Sequence, residues 1–187
     1  MLWSIIFLIV EALIVLLIIT SIFSFIRALS IRFSFLKRLR DLSEKEGYTL
    51  TKERHTLASF FKNAFSPDLV LKTNEKKYLI RFITCRKRKR FYHFASAEYY
   101  AFYSKLFFAL PLAKKEESLN IQETFRYLPP LADSFICKEE DLETETILLF
   151  SPAPVEISYN GKILSNGSML EGSTVYNGNG FLDFLRK

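Results

Sequence analysis

Histidine, cysteine and tryptophan are scarce in this sequence of 187 residues, which contains two histidines, two cysteines and one tryptophan. Cys85 and Cys137 have neither the paired spacing of a metal site nor a neighbouring His–acid arrangement, so they indicate plain thiols in a reducing compartment. His55 and His93 lie in different segments. These absences argue against a catalytic thiol and against a metal site built from histidines.

Charge is almost absent from the first 26 residues, where Glu11 is the only charged side chain. Residues 2–26 exceed the roughly 20 apolar residues that a membrane-spanning helix needs. No Lys or Arg precedes this run and no A-x-A-like cleavage site follows it, which favours an uncleaved anchor over a signal peptide. Glu11 either carries no mechanism, as a protonated or helix-facing group, or pairs with a second helix.

Positive charge is concentrated beyond the apolar run. All 26 Lys and Arg lie there with 19 of the 20 Asp and Glu, so this part of the chain carries a net charge of +7. Five cations follow the run closely: Arg27, Arg32, Lys37, Arg38 and Arg40. The positive-inside rule therefore predicts a single-pass protein of the cell membrane, with the N-terminus outside and the C-terminal domain in the cytoplasm.

Three parts are expected along the chain, with no internal repeat. Residues 1–28 form a transmembrane anchor, residues 29–47 a juxtamembrane basic helix ending at Gly47, and residues 48–187 a cytoplasmic α/β domain. Apolar and turn patterns within the domain predict the following elements: a short strand near 48–51, a helix over 56–65, a hairpin over 69–73 and 78–84, a buried helix over 95–111, a strand over 146–152, Asn-Gly turns at 160–161, 166–167 and 177–178, and a short terminal helix.

The hairpin carries a family resemblance. The segment SPDLVLKTNEKKYLIRFITC, residues 66–85, resembles the PD-(D/E)XK, or restriction-endonuclease-like, superfamily, and within it the Mrr-like proteins tethered by one membrane helix. In that family a strand beginning with Asp turns into a second strand bearing E-x-K or Q-x-K. Matched without gaps, Asp68 falls on the metal-binding aspartate, Arg81 on the Glu or Gln, and Ile83 on the lysine. The resemblance implies a mixed sheet flanked by helices.

In the family, the side chains at the three matched positions bind the metal ion and activate water. Alternate residues of a strand face the same side, so a carboxylate at position 81 would join Asp68 in holding Mg²⁺. A lysine at position 83 would position or deprotonate the attacking water. Arg81 cannot bind a cation and Ile83 cannot transfer a proton. The resemblance therefore implies a degenerate site with no metal and no cofactor.

An active enzyme remains the main alternative. Its Mg²⁺-dependent site would have migrated, for instance to Asp68 with Glu44 and Lys77. The literal E-x-K at Glu75–Lys77 lies in the predicted turn, where we expect solvated side chains. A further alternative is a structural protein of the membrane surface with an unrelated fold.

A run of five cations follows the hairpin and precedes the aromatic segment FYHF: Arg86, Lys87, Arg88, Lys89 and Arg90. Cations beside aromatic rings suit single-stranded nucleic acid. They equally suit anionic lipid headgroups, and the third interpretation is a solvated loop. We expect the lipid bilayer as one partner, leave the protein partner open, and interpret the domain as an inactive nuclease-like module that binds or scaffolds at the cytoplasmic membrane face.

Overall fold

The computed structural model of the chain describes residues 2–52, 67–85, 90–104, 126–128, 130–131 and 142–186. They form an α/β structure whose elements follow in chain order: α1 (Leu2–Glu46), β1 (Thr49–Lys52), β2 (Leu69–Lys72), β3 (Lys76–Ile83), β4 (Arg90–Phe94), β5 (Tyr99–Ser104), β6 (Arg126–Tyr127), β7 (Glu143–Phe150), β8 (Glu156–Tyr159), β9 (Lys162–Ile163), β10 (Ser168–Leu170), β11 (Ser173–Asn177) and α2 (Gly178–Leu185). The helix expected over 56–65 lies outside the described residues.

Helix α1 is continuous through the apolar run and the basic segment after it. Its 45 residues extend about 67 Å at 1.5 Å per residue. Its most apolar 18-residue stretch has a mean hydropathy of 2.9, and the helix is long and apolar enough to cross a membrane. Further along, Phe35, Leu39 and Leu42 are buried at helical spacing. The first half of α1 thus exposes apolar side chains, and its second half contributes to the core of the domain.

The end of α1 follows the glycine signal in the sequence. Gly47 has φ of 72°, a conformation that costs a residue without a Cβ little. The Tyr48 N–H then donates a hydrogen bond to the Ser43 carbonyl at 2.8 Å. This is the 6→1 hydrogen bond of a Schellman motif. The predicted stop at Gly47 is confirmed, and it aims the chain into β1.

The first sheet has six strands in the order β1-β2-β3-β7-β11-β10. β1, β2 and β3 are antiparallel neighbours, whereas β7 pairs in parallel with β3 and with β11. Helices α1 and α2 cover one face and form a core cluster with it that includes Phe35, Leu39, Tyr78, Ile80 and Phe181. Alternation along β3 sends Leu79, Arg81 and Ile83 to the opposite face.

The strands of a second sheet, in the order β6-β5-β4-β8-β9, lie along the chain between strands of the first sheet: β4 to β6 precede β7, and β8 and β9 follow it. It packs on the face of the first sheet opposite α1, where Ile83, Phe94, Leu148, Phe150 and Val175 share one buried cluster. The described part of the molecule therefore has three layers: helices, the six-stranded sheet, and the second sheet.

The helix predicted over 95–111 is wrong where the structure describes it, because Tyr99–Ser104 is strand β5. β5 pairs antiparallel with β4. Tyr100 and Phe102 lie beside Tyr92 with ring centroids 5.8 and 5.6 Å away. Aromatic residues favour strands when such cross-strand partners exist. The aromatic density indicated burial correctly, but the burial is that of a sheet face.

The other predicted elements within the described residues are largely present. The hairpin of β2 and β3 is confirmed, although Lys76 already belongs to β3. Asn160-Gly161 joins β8 to β9 with positive φ at both residues, as expected. Asn177-Gly178 is not a hairpin turn: the Asn177 side chain accepts a bond from the Gly180 N–H and caps α2. Asn serves both roles because its short side chain bonds nearby backbone.

We predict that the second half of α1 is required for the stability of the domain. Leu39 is fully buried, so Leu39→Ala should lower the free energy of unfolding by about 2–5 kcal/mol. Urea unfolding of the full chain in detergent measures the change. Arg40→Ala, at the adjacent exposed position, is the control and should change stability by less than about 0.5 kcal/mol. Equal losses in both variants would show that α1 does not contribute a core face.

Candidate functional site

Asp68 lies where the pairing of β2 with β3 ends. The last paired residues are Leu69 and Ile80, and the Asp68 N–H bonds the Ile80 carbonyl at 2.9 Å. The carboxylate then accepts a hydrogen bond from the Phe82 N–H at 2.7 Å. A partly buried backbone N–H needs such an acceptor. The side chain of Asp68 thereby extends the ladder that the backbone of β2 begins.

Arg32 reaches the same carboxylate from α1. Its Nη2 lies 3.6 Å from Asp68 Oδ1, and both side chains are about a quarter to a third exposed. The guanidinium also lies over the Phe82 ring, 4.2 Å from the centroid. Each contact contributes about 1 kcal/mol or less at partly exposed positions. Together they fix the start of the domain-facing half of α1 against the hairpin.

Arg81 follows Ile80, the last β3 residue that pairs with β2. Alternation along β3 turns its side chain to the face opposite α1. Burial lowers the pKa of the Arg81 guanidinium, and the charge of Asp68 opposes this effect. Tyr100 of the second sheet is also close enough to act on that charge.

Ile83 is part of the apolar core. It is 4% exposed and belongs to the buried cluster with Phe94, Leu148 and Phe150. The second sheet therefore covers the place where the family resemblance would put a catalytic lysine. An ammonium there would lose its hydration without gaining a partner in this cluster.

The residues of the migrated-site alternative do not converge. Lys77 lies four residues before Arg81 on β3, which separates it from the level of Asp68 by about 13 Å along the strand. Its side chain is buried on the face opposite α1. Glu44 is exposed on α1, which packs on the other face. Glu75 lies in the exposed turn before β3, as expected from the sequence.

The remaining candidates give little chemistry within the described residues. The basic run lies outside them up to Lys89, and Arg90 begins β4. His93 Nδ1 lies 3.2 Å from Ser158 Oγ across neighbouring strands, and Cys85 is buried. His55 and Cys137 fall outside. Among the described residues, no three His, Cys, Asp or Glu side chains form a group suited to a metal ion.

Comparison with known proteins supplies no assignment. No family model matches the chain, and neither a curated protein nor a solved structure is significantly similar to it.

Arg32 is the member of this site that sequence reasoning missed. The sequence identified it only as one of the cations that follow the apolar run. Nothing local links it to Asp68, because the contact depends on how α1 crosses the hairpin. Arg32 lies at helical spacing from Phe35 and Leu36, but this spacing does not identify the strand residue that it meets.

We predict that a lysine at position 83 is destabilising. Ile83→Lys places an uncompensated cation in an apolar cluster and should lower the free energy of unfolding by about 3–5 kcal/mol at pH 7. The conservative control Ile83→Val should lose only about 0.5–1.5 kcal/mol. Unfolding by urea in detergent compares the two. Equal stability would mean that position 83 opens to water.

The same variant has a pH signature. Burial depresses the pKa of the introduced lysine below its unfolded value of about 10.4. Between those two pKa values the unfolded state binds more protons, so the stability of Ile83→Lys should rise with pH in that window relative to Ile83→Val. A constant difference between the variants across this window would contradict a buried lysine.

Proposed function

We propose that this chain is a single-pass membrane protein whose cytoplasmic domain is a catalytically inactive relative of the restriction-endonuclease-like nucleases. The domain acts as a binding or scaffolding module at the cytoplasmic face of the membrane. The main observation in support is that the second sheet buries Ile83. In addition, Arg81 places a cation where the family has a metal ligand.

The membrane part of the proposal is supported by α1. Its first half exposes large apolar side chains on all sides, among them Leu8, Leu13, Leu17 and Ile22. Such a surface is unfavourable in water, and lipid acyl chains would remove it from water. The positive charges that follow it favour a cytoplasmic location of the domain.

The nuclease-like part is supported by the hairpin. Asp68 opens β2, a short polar turn leads into β3, and the mixed sheet has helices on one face. The second sheet on the other face departs from a sheet flanked by helices. Ile83 is buried beneath that sheet, which supports a position 83 closed to a nucleic-acid phosphate.

The absence of catalysis follows from charge and access. A phosphodiesterase of this family needs carboxylates to hold Mg²⁺ and a group that activates water. Arg81 would repel the ion from Asp68, and Asp68 already bonds Phe82 and Arg32. A binding role needs none of these groups, since it depends on the surfaces that the two sheets and α1 present.

We predict a fixed topology. Trp3→Cys and Lys162→Cys each introduce a thiol at an exposed position, one at each end of the chain. An impermeant maleimide applied to intact cells should label the first and not the second, and permeabilisation should expose the second. Unsubstituted protein controls for Cys85 and Cys137. The opposite labelling pattern would reverse the orientation, and labelling of neither or both before permeabilisation would contradict a single span.

We also predict that the full chain in detergent leaves DNA and RNA intact with Mg²⁺ or Mn²⁺. The assay uses linear, supercoiled and single-stranded substrates, with Asp68→Ala as the matched variant. Uncatalysed phosphodiester hydrolysis is too slow to observe, so intact substrate is the expected result for both proteins. Metal-dependent cleavage that disappears in Asp68→Ala would overturn the inactive assignment.

A further inference from the structure

A cavity of about 220 Å³ lies between α1 and the hairpin, next to the end of the apolar run. Helix α1 contributes one face of consecutive turns to it: Leu29, Arg32, Phe33 and Leu36. The sheet side contributes Lys52, Asp68, Leu69 and Phe82. The lining thus combines an apolar wall with two cations and one carboxylate. We propose that this cavity binds the headgroup of an anionic phospholipid of the surrounding bilayer.

The position of the cavity along α1 supports a lipid as the ligand. Arg32 lies six residues beyond Ile26, about 9 Å along the helix axis. The apolar run of residues 2–26 is about 37 Å long, which exceeds the roughly 30 Å hydrocarbon core. A helix tilted so that this run fits the core therefore places Arg32 about 7 Å beyond the core edge, at the level of the lipid headgroups. This step depends on the membrane insertion proposed above, but not on its direction.

The apolar surface of the span continues to the mouth of the cavity. Phe25 and Ile26 are exposed, Leu29 is partly exposed, and Phe33 is 67% exposed. Aromatic side chains at this depth are typical of the membrane interface. An acyl chain can follow this surface while its headgroup enters the cavity. A water-soluble phosphate would gain nothing from the apolar wall.

The charges suit a phosphate in particular. Arg32 is held by Asp68 and Phe82, so its guanidinium is oriented before a ligand arrives, and it has more N–H donors than one carboxylate oxygen accepts. Lys52 adds a second positive charge at the exposed end of β1. Because Asp68 offsets one of the two, the lining keeps a net charge of +1. A zwitterionic headgroup would gain less from it than an anionic one.

The size of the cavity limits what enters it. Its volume lies below the roughly 300–1,000 Å³ of sites that enclose drug-sized ligands. It therefore suits the phosphate and glycerol part of one lipid, with the acyl chains remaining outside in the bilayer. We expect one tightly held anionic lipid per chain.

The test uses the full chain in mixed micelles of phosphatidylcholine with phosphatidylglycerol, followed by gel filtration and lipid analysis. The unsubstituted protein should retain about one phosphatidylglycerol per chain and bind it in preference to phosphatidylcholine. Two cations each contribute about 1 kcal/mol near an anionic surface, so Arg32→Gln with Lys52→Gln should weaken the affinity roughly thirtyfold.

Two further variants separate the site from general effects. Lys52→Gln alone changes an exposed residue and leaves the Arg32–Asp68 contact intact, and it should weaken phosphatidylglycerol binding roughly fivefold. Lys45→Gln with Lys162→Gln removes the same charge from exposed positions outside the cavity and should keep the affinity. Equal losses in this control, or equal retention of both lipids, would overturn the inference.

Two further measurements distinguish a lipid ligand from a soluble anion, and a failed headgroup site from a failed membrane span. Displacement of the retained lipid by inorganic phosphate alone would overturn a lipid ligand in favour of a soluble anion. Alkaline carbonate extraction of membranes tests the span independently, because an integral protein stays in the pellet. Extraction would contradict the proposed membrane function, whereas a pelleted protein without lipid preference would contradict only the headgroup site.

Discussion

The packing of the second half of α1 against the six-stranded sheet is the interaction on which the rest of the structure depends. Phe35, Leu39 and Leu42 are buried there on the same helix that carries the apolar run. A helix propagates rigidly through its hydrogen bonds, so the domain cannot turn freely about a linker at this point. In the proposed membrane-anchored state, the angle between helix and sheet would set how the domain faces the membrane.

Asp68 interacts with α1 and with two neighbouring residues of β3. Its carboxylate accepts the Phe82 N–H, faces Arg32 of α1, and acts on the charge of Arg81 across the strand pair. A carboxylate with these neighbours serves the fold without any metal. Asp68 thus has a structural role, and Ile83, two residues beyond Arg81, is buried in the apolar core.

Local signals predicted much of the fold and little of the site. Gly47, the β2–β3 hairpin and the Asn160-Gly161 turn follow from backbone preferences of single residues or short patterns. The segment at 99–104 was mistaken for a helix because aromatic density reports burial and not the period of the element. The two-sheet arrangement depends on distant pairings such as β4 with β8, which no local pattern contains. The Arg32–Asp68 contact escaped prediction for the same reason.

The proposed lipid site lies where the apolar half of α1 meets the half that packs on the domain. A headgroup bound beside Arg32 would contact the helix and the hairpin at once, because Lys52, Asp68 and Phe82 line the same cavity. Binding to the folded arrangement alone stabilises that arrangement by mass action. An anionic lipid would therefore strengthen the orientation of the domain that the rigid helix already favours. A scaffold gains from such a fixed orientation because its partner then meets one surface at one height above the bilayer, with less orientational freedom to lose on binding.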